Sequence, residues 1–424
     1  MDCMIVEGSH EGTKVRKGNL QFLFIGSVFP REMFWEYELS QSATIQTQGS
    51  LLDALLENGN GPDCLLTTLP VKRWPNAGFQ SIQREDVTYG DSSKEGGGVV
   101  VKFLGWNNFE PIKTLSIGID GFLKFLQWSN EQKSLGAQPI ALMYNLGPTH
   151  HLAPFFVLAA KFSGAKIVSL VTDLEPRSFS LRGIVGWLSY RLQCWSLKQM
   201  DGLLPLNQNV IRDLNYTKPS KQIFGILPSD DFAIKLSHFP VSNSGDPIFL
   251  FTGSLNEVRG ISLLLEAFRG WENPKAQLLI TGRGEQEPLV SKNASEDARI
   301  EYLGFLKTEE ELLGVYERAT FVVNPHRMYP MGARYVFPSK LTEYMASGRY
   351  VISSNHGEIE GEYKEFMSIY FEDNAQSLRE KLVEAVALDS ATRNDRILLA
   401  RKRVLEHQLW KHHSKEVANF LENI

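Results

Sequence analysis

The stretch IFLFTGSLNEVRGISLLLEAF, Ile248 to Phe268, decides the fold. An apolar run of strand character ends at Gly253, a polar turn carries Arg259 and Gly260, and apolar residues at helical spacing follow. Strand, glycine turn and helix in that order make one βα unit of a parallel sheet. The pattern recurs in AQLLITGRGEQ (Ala276 to Gln286), RIEYLGFLKTEEELLGVYERATFVVNPH (Arg299 to His326) and FPSKLTEYMASGRYVISSN (Phe337 to Asn355). It predicts strands over 248–253, 277–282, 299–303, 320–324 and 349–353, and helices over 260–269, 308–318, 339–347 and 375–388. Thr308 and Glu311 have capping-box spacing, and Gly348 is placed to end the helix before it.

Upstream, strands are predicted at 20–26, 64–70, 139–145, 166–172 and 202–207, with helices at 43–58 and 152–163. Residues 72 to 100 are rich in Gly, Asp, Ser and Asn and read as an irregular excursion. SHFPVSNSGDP at 237–247 gathers turn residues before the strand at 248 and reads as a linker. The expectation is two doubly wound α/β domains, 1–236 and 248–392, and a helical segment, 393–424, that packs back on the first domain.

A chain of 424 residues exceeds the size at which one core keeps growing, which favours two domains. A net charge of −5 argues against a broad nucleic-acid face, because neutralising many phosphates needs a basic stripe. Cys3, Cys64 and Cys194 lack the spacing of a zinc site or a disulfide framework. The polar, charged N-terminal stretch does not have the layout of a secretion signal, and no 18-residue apolar stretch occurs. These features predict a cytoplasmic protein. In LRGIVGWLSYRLQCWSLKQ, Leu181, Ile184, Val185, Leu188, Leu192 and Trp195 share a helical face expected to pack on the sheet. Trp187, Tyr190, Arg182, Arg191 and Lys198 make an aromatic and basic opposite side, open to peripheral contact with a membrane.

Two segments have the means to hold an anion. In TGSLNEVRG, backbone N–H groups and Arg259 can face a phosphate together; a plain βα turn with a solvated arginine reads equally well. In FPSKLTEYMASG, Pro338 and Ser339 open a helix whose free N–H groups, with Lys340, can bind phosphate. Glu343 lies one turn in, where a carboxylate can accept hydrogen bonds from ribose hydroxyls or simply favour the helix dipole.

Taken in order, these motifs resemble the C-terminal domain of the group 1, or family 4, retaining glycosyltransferases, over almost all of 248–390. The resemblance implies the GT-B fold, two Rossmann-like lobes facing a cleft. It implies a nucleoside diphosphate sugar as donor, held mainly by the C-terminal lobe, with no metal or other cofactor. The family's basic pair falls on Ser254 and Arg259, so the first charge is missing, and its two glutamates fall on Tyr335 and Glu343, so only the second survives. Lys340 compensates for Ser254; a subset of the family has the same Pro-Ser-Lys and dispenses with the first glutamate. The resemblance further places Gly253, Gly282, Arg283, Gly284, Phe305, Ser339 and Leu341 at the donor, with Arg259, Lys340 and Glu343 as the residues expected to carry the transfer.

The N-terminal lobe resembles the family more weakly, through FIGSVFP, SLVTDLEP and MDGLLPLNQNVIRDL. It is expected to carry a saccharide or lipid-linked saccharide acceptor beside Gly26, Ser27, His150 and Asp173, with Asp173 at a strand end where it can orient a hydroxyl or cap a turn. The implied activity is transfer of a sugar to an acceptor hydroxyl with retained configuration. The competing expectation is a binding subunit of the same fold that has lost donor chemistry and supports a partner enzyme.

Overall fold

The computed structural model describes residues 20–30, 33, 43–69, 80–82, 85–90, 98–109, 112–144, 151–172, 174, 181–225, 227, 229–241, 246–329, 334–337 and 339–424, without the side chains of 43, 44 and 181–185. The predicted positions His150, Asp173 and Pro338 lie outside these residues.

In chain order the first half holds β1 (Leu23–Gly26), α1 (Ala43–Glu57), β2 (Cys64–Thr67), β3 (Ser81–Ile82), β4 (Val87–Tyr89), β5 (Val99–Phe103) and β6 (Trp106–Asn107). It continues with α2 (Ile112–Ser134), β7 (Ile140–Tyr144), α3 (Ala153–Ser163), β8 (Lys166–Val171), α4 (Leu181–Gln199), β9 (Gly202–Pro205), α5 (Asn209–Leu214) and α6 (Asp230–Ser237). The second half holds β10 (Ile248–Thr252), α7 (Ile261–Arg269), β11 (Gln277–Thr281), α8 (Glu287–Glu296), β12 (Ile300–Tyr302), α9 (Glu309–Arg318) and β13 (Phe321–Asn324). Then come α10 (Ser339–Ala346), β14 (Tyr350–Ser354), α11 (Glu360–Tyr363), β15 (Ser368–Tyr370), α12 (Ala375–Ala387), α13 (Ser390–His407) and α14 (Trp410–Glu422).

Two sheets organise these elements. The first runs β4-β5-β2-β1-β7-β8-β9, parallel except for β4 at its edge. The second runs β12-β11-β10-β13-β14-β15 and is parallel throughout. Strands covered on both faces tolerate continuous apolar sequence, and Phe249, Leu250, Leu278, Ile280, Val322 and Ile352 are all fully buried. Each order reverses once, between β1 and β7 and between β10 and β13. In open α/β sheets that reversal, at the carboxyl ends of the strands, opens a crevice for ligand.

Local sequence explains where helices begin. Thr308 and Glu311 form the predicted capping box on α9: Glu311 N donates to Thr308 Oγ1 at 3.2 Å and Thr308 N to Glu311 Oε2 at 3.0 Å. Asn374 and Asp389 cap α12 and α13 with their side chains.

The sequence reading did not single out α2 or β15, and the structure departs from it in two further places. The excursion expected over 72–100 contributes β4 and the start of β5 to the first sheet, although its glycines hide the alternation. On α4, Leu188, Leu192 and Trp195, expected against the sheet, are exposed, while Gln193, Ser196 and Leu197 are buried. Small size and internal hydrogen bonding let the inner face pack: Ser196 Oγ donates to Leu192 O at 2.8 Å, within its own helix.

Chain ends cross between the halves. α6 packs on α10, with Phe232 edge-on to Tyr316 of α9. α14 packs on α1, and Asn58 Nδ2 donates to Ser414 Oγ at 2.6 Å. The two crossings are tied together where Trp410 donates its backbone N–H to Asp230 Oδ1 and its indole N–H to Leu227 O, both at 2.8 Å. Among the described residues no helix is long and apolar enough to cross a membrane.

Candidate functional site

A cleft of about 810 Å³ lies between the lobes. One wall is the turn after β1, Val28 and Phe29, with α1; the facing wall is Phe232, Leu312 and the first turns of α10, Ser339, Lys340 and Glu343. The N-terminus of α10 therefore opens where the two halves meet, with its unpaired N–H groups and the positive end of its dipole.

Lys340 and Glu343 are a pair. Lys340 Nζ lies 2.5 Å from Glu343 Oε2, the glutamate being 3% exposed and the lysine half-buried. Burial opposes the lysine's charge, but the carboxylate beside it outweighs that and raises its pKa above the ordinary 10.5. The next residue, Tyr344, uses its hydroxyl to donate to Thr252 O at 3.2 Å and to accept from Thr252 N at 3.0 Å. This locks α10 to the carboxyl end of β10, just before Gly253. Leu341 is fully buried in the core.

Three loops at the carboxyl ends of β10, β11 and β12 are knitted into one ledge. Gly253 N donates to Thr281 O at 3.1 Å, Leu255 N to Arg283 O at 2.9 Å and Gly282 N to Gly304 O at 2.9 Å. Gly282 has a φ of +145°, and a Cβ there would lie 1.8 Å from Gly253 O, so only glycine lets the loops meet. Ser254 lies in this ledge, Gly284 N donates to Glu287 Oε1 at 2.9 Å, and Arg283 stacks 4.4 Å above the half-exposed ring of Phe305.

Arg259 lies on the turn that leads into α7. Its backbone N–H donates to Asn256 Oδ1 at 2.9 Å, and Gly260 beside it, at φ +73°, lets the start of α7 press on Pro325. The guanidinium's charge reaches two residues the sequence reading passed over. His326 and His356 follow β13 and β14, are 2% and 1% exposed, and stack at 4.9 Å with 27° between rings. Burial, then Arg259, lowers the pKa of His326 to about 4. Burial, His326 and Arg259 hold that of His356 well below the ordinary value. Both shifts favour the neutral rings. Their signal was available, since each follows a predicted strand at its carboxyl end, the rule that singled out Asp173.

Tyr335 faces the other lobe. Its hydroxyl donates to Asp213 Oδ2 at 2.8 Å, and Arg334 spans Asp213, at 2.9 Å, and Glu358, at 2.5 Å. Arg212 reaches Glu358 at 2.8 Å, Asn207 Nδ2 donates to Gly357 O at 2.9 Å and Asn209 Nδ2 to Arg334 O at 3.0 Å. No local motif announces this network, because its bonds between the lobes join residues more than a hundred positions apart in sequence.

On the first lobe, Gly26 ends β1 and Ser27 N donates to Gln48 Oε1 at 2.8 Å. Ser27 Oγ and Gln48 Nε2 are buried without a partner.

Residues 246–387 match the family Glycosyl transferases group 1. No curated protein is similar in sequence at a significant level. Solved structures align over nearly the whole chain. Sucrose-phosphate synthase from Thermosynechococcus elongatus is 16% identical, with 95% of this chain and 99% of that one covered and a TM-score of 0.63. The α,α-trehalose 6-phosphate synthase of Burkholderia multivorans is 11% identical over 95% and 96%, TM-score 0.64. Anabaena HepE in complex with UDP is 12% identical over 96% and 100%, TM-score 0.61. The chain has the GT-B fold, and its second lobe resembles the group 1 glycosyltransferases.

Proposed function

We propose that the protein is a glycosyltransferase that moves a sugar from a nucleoside diphosphate sugar to an acceptor hydroxyl, with retention of configuration. The observation that carries this is the opening of α10, with Lys340 and Glu343, onto an interlobe cleft at the edge of the matched domain. HepE, of the same fold, is in complex with UDP, which favours a nucleotide among the ligands of this fold.

The hard step is departure of the diphosphate. Fixed cations and N–H dipoles aimed at that charge lower the barrier without reorganising as it grows. Lys340 and the first N–H groups of α10 fill this role, with Arg259 and the ledge of Gly253, Ser254, Gly282 and Gly284 steadying the phosphates. The Glu343 carboxylate exchanges part of its bond to Lys340 for ribose hydroxyls, and Arg283 with Phe305 borders the base. The leaving oxygen takes the acceptor's proton on the same face, so the reaction needs no paired catalytic carboxylates, and in this reading Lys340 and the α10 N–H groups meet the diphosphate charge without a metal. The acceptor, a saccharide or lipid-linked saccharide, enters beside Gly26 and Ser27.

The rival reading, a binding subunit without donor chemistry, draws on the engagement of Tyr335 with Asp213 and the absence of charge at Ser254. Incubating the chain with a panel of sugar nucleotides separates the two. Thermal protection by a sugar nucleotide and slow release of free sugar, both lost in Lys340→Ala, support transfer. Protection by none of them, with no release, would sink the enzyme reading. The anomeric configuration of the product, read by NMR, tests retention, and activity in excess chelator tests independence from metal.

A further inference from the structure

The outer surface of α2, α3 and α4 is apolar where a helix layer over a sheet should be polar. On α2, Ile112, Leu115, Ile119 and Leu123 recur at helical spacing and are each about half exposed. On α3, Leu158 is exposed and Phe162 is 77% exposed. On α4 the exposed set is Trp187, from the side expected to face outward, with Leu188, Leu192 and Trp195 from the stripe that its sequence would bury. Side chains join the three helices into one surface: Phe122 of α2 meets Phe162 edge-on at 6.0 Å, and Lys161 of α3 sits 5.7 Å over the ring of Trp195. Isolated exposed apolar residues are ordinary, but a joined patch across three helices marks an interaction surface.

Charge identifies the partner. The chain carries a net −5, yet these three helices hold seven lysines and arginines against two carboxylates, Asp120 and Glu131. Asp120 is already paired with Lys124 at 2.8 Å, and α3 and α4 contain no acidic residue. A second copy docking face to face would set two basic surfaces against each other. Tryptophan rings flanked by cations, as Trp187 is by Arg191 at 5.6 Å, suit the boundary between headgroups and acyl chains.

We propose that the face formed by α2, α3 and α4 docks the protein on an anionic phospholipid bilayer, with Trp187, Leu188, Leu192 and Phe162 entering the interface and Lys161 and Arg191 meeting headgroups. α3 and α4 follow parallel strands and so start from the carboxyl edge of the first sheet, the edge that borders the cleft. Phe162 and Trp195 stand near the opposite ends of these helices, so the face extends away from the cleft edge along the layer. The inference does not depend on the transferase reading, since it rests on residues outside the cleft.

Co-flotation of the full chain with vesicles tests it. Vesicles with about 30% phosphatidylglycerol should bind at least tenfold more protein than pure phosphatidylcholine, and about 0.5 M salt should remove most of the difference. Trp187→Ser/Leu188→Ser/Leu192→Ser should abolish flotation on both compositions while the chain still unfolds cooperatively, because these side chains lie outside the core. Lys161→Glu/Arg191→Glu keeps the apolar surface and should lose the preference for anionic lipid, about fivefold or more per cation. Absence of flotation on the anionic vesicles overturns the proposal. So does light scattering that shows a lipid-free dimer which the triple variant dissociates, since a second copy would then cover the face. Loss of donor binding in the Lys340→Ala variant, with flotation intact, keeps the two readings distinguishable.

Discussion

The hydroxyl of Tyr335, in the second lobe, donates to Asp213 Oδ2 of the first lobe at 2.8 Å, and Arg334 holds the same carboxylate at 2.9 Å. Tyr335 stands where the resembling family has a glutamate. Here the position joins the lobes.

Tyr335→Phe and Asp213→Asn should therefore loosen the lobes while leaving each folded. Single half-exposed bonds of this kind contribute about 1 kcal/mol or less, so the expected readout is a larger radius of gyration in solution scattering and faster amide exchange at α5, with little change in unfolding midpoint. The hydrogen bond from Arg334, then that from Tyr335, lowers the pKa of Asp213 below the ordinary 3.8. A depressed carboxylate contributes stability above its unfolded value and loses it as pH falls through the folded one. The link should thus hold across neutral pH and fail only in acid, below 3.8. Scattering that is unchanged in both variants would remove the latch.

Lys340→Met should cost more stability than Glu343→Gln, because it strands a buried carboxylate. Breaking a buried pair costs about 3 to 5 kcal/mol. With 32% of the lysine side chain exposed, about 2 kcal/mol is expected by urea denaturation. The raised lysine pKa keeps the lysine's charge from neutral pH up to 10.5 and lets it go as pH climbs through the higher folded value, so the wild-type excess should fade in alkali.

The buried histidines predict acid sensitivity. A histidine whose folded pKa is depressed to about 4 binds its proton in the unfolded chain first, so stability falls as pH drops from 6.5 toward that value. His326 alone should account for about 3 kcal/mol at most over that range. His326→Asn should flatten the dependence; an equally steep curve in the variant would show that the ring titrates normally.

Two glycine-to-alanine changes should have opposite signs. Gly260→Ala sets a Cβ 1.8 Å from Pro325 O at a φ of +73° and should destabilise by more than about 2 kcal/mol, loosening the loop that carries Arg259. Gly314→Ala, inside α9 with nothing within 4 Å, should stabilise by about 1 kcal/mol. Thermal midpoints of the two variants decide both.

Much of the fold was legible because its signals are local. Runs such as LLIT and FVVN, the capping box at Thr308 and the glycine turns at Gly253 and Gly282 act within a few residues, so the chain alone announced five of the second sheet's six strands and the start of α10, while the three-residue β15 was too short to read. The pairing of Lys340 with Glu343 could also be read as helix spacing, though the sequence reading assigned each to a ligand and neither to the other. Three things depended on tertiary structure. The stack of His326 on His356 joins two loops through adjacent strands, and the bond from Tyr335 to Asp213 spans 122 positions. Helical periodicity on α4 identifies an apolar stripe but not its direction. Packing of Ser196 and Leu197 against the lobe decided that, and turned Leu188, Leu192 and Trp195 outward. A sequence fixes which residues share a face, because that follows from backbone geometry; which face is buried depends on what the rest of the chain brings against it.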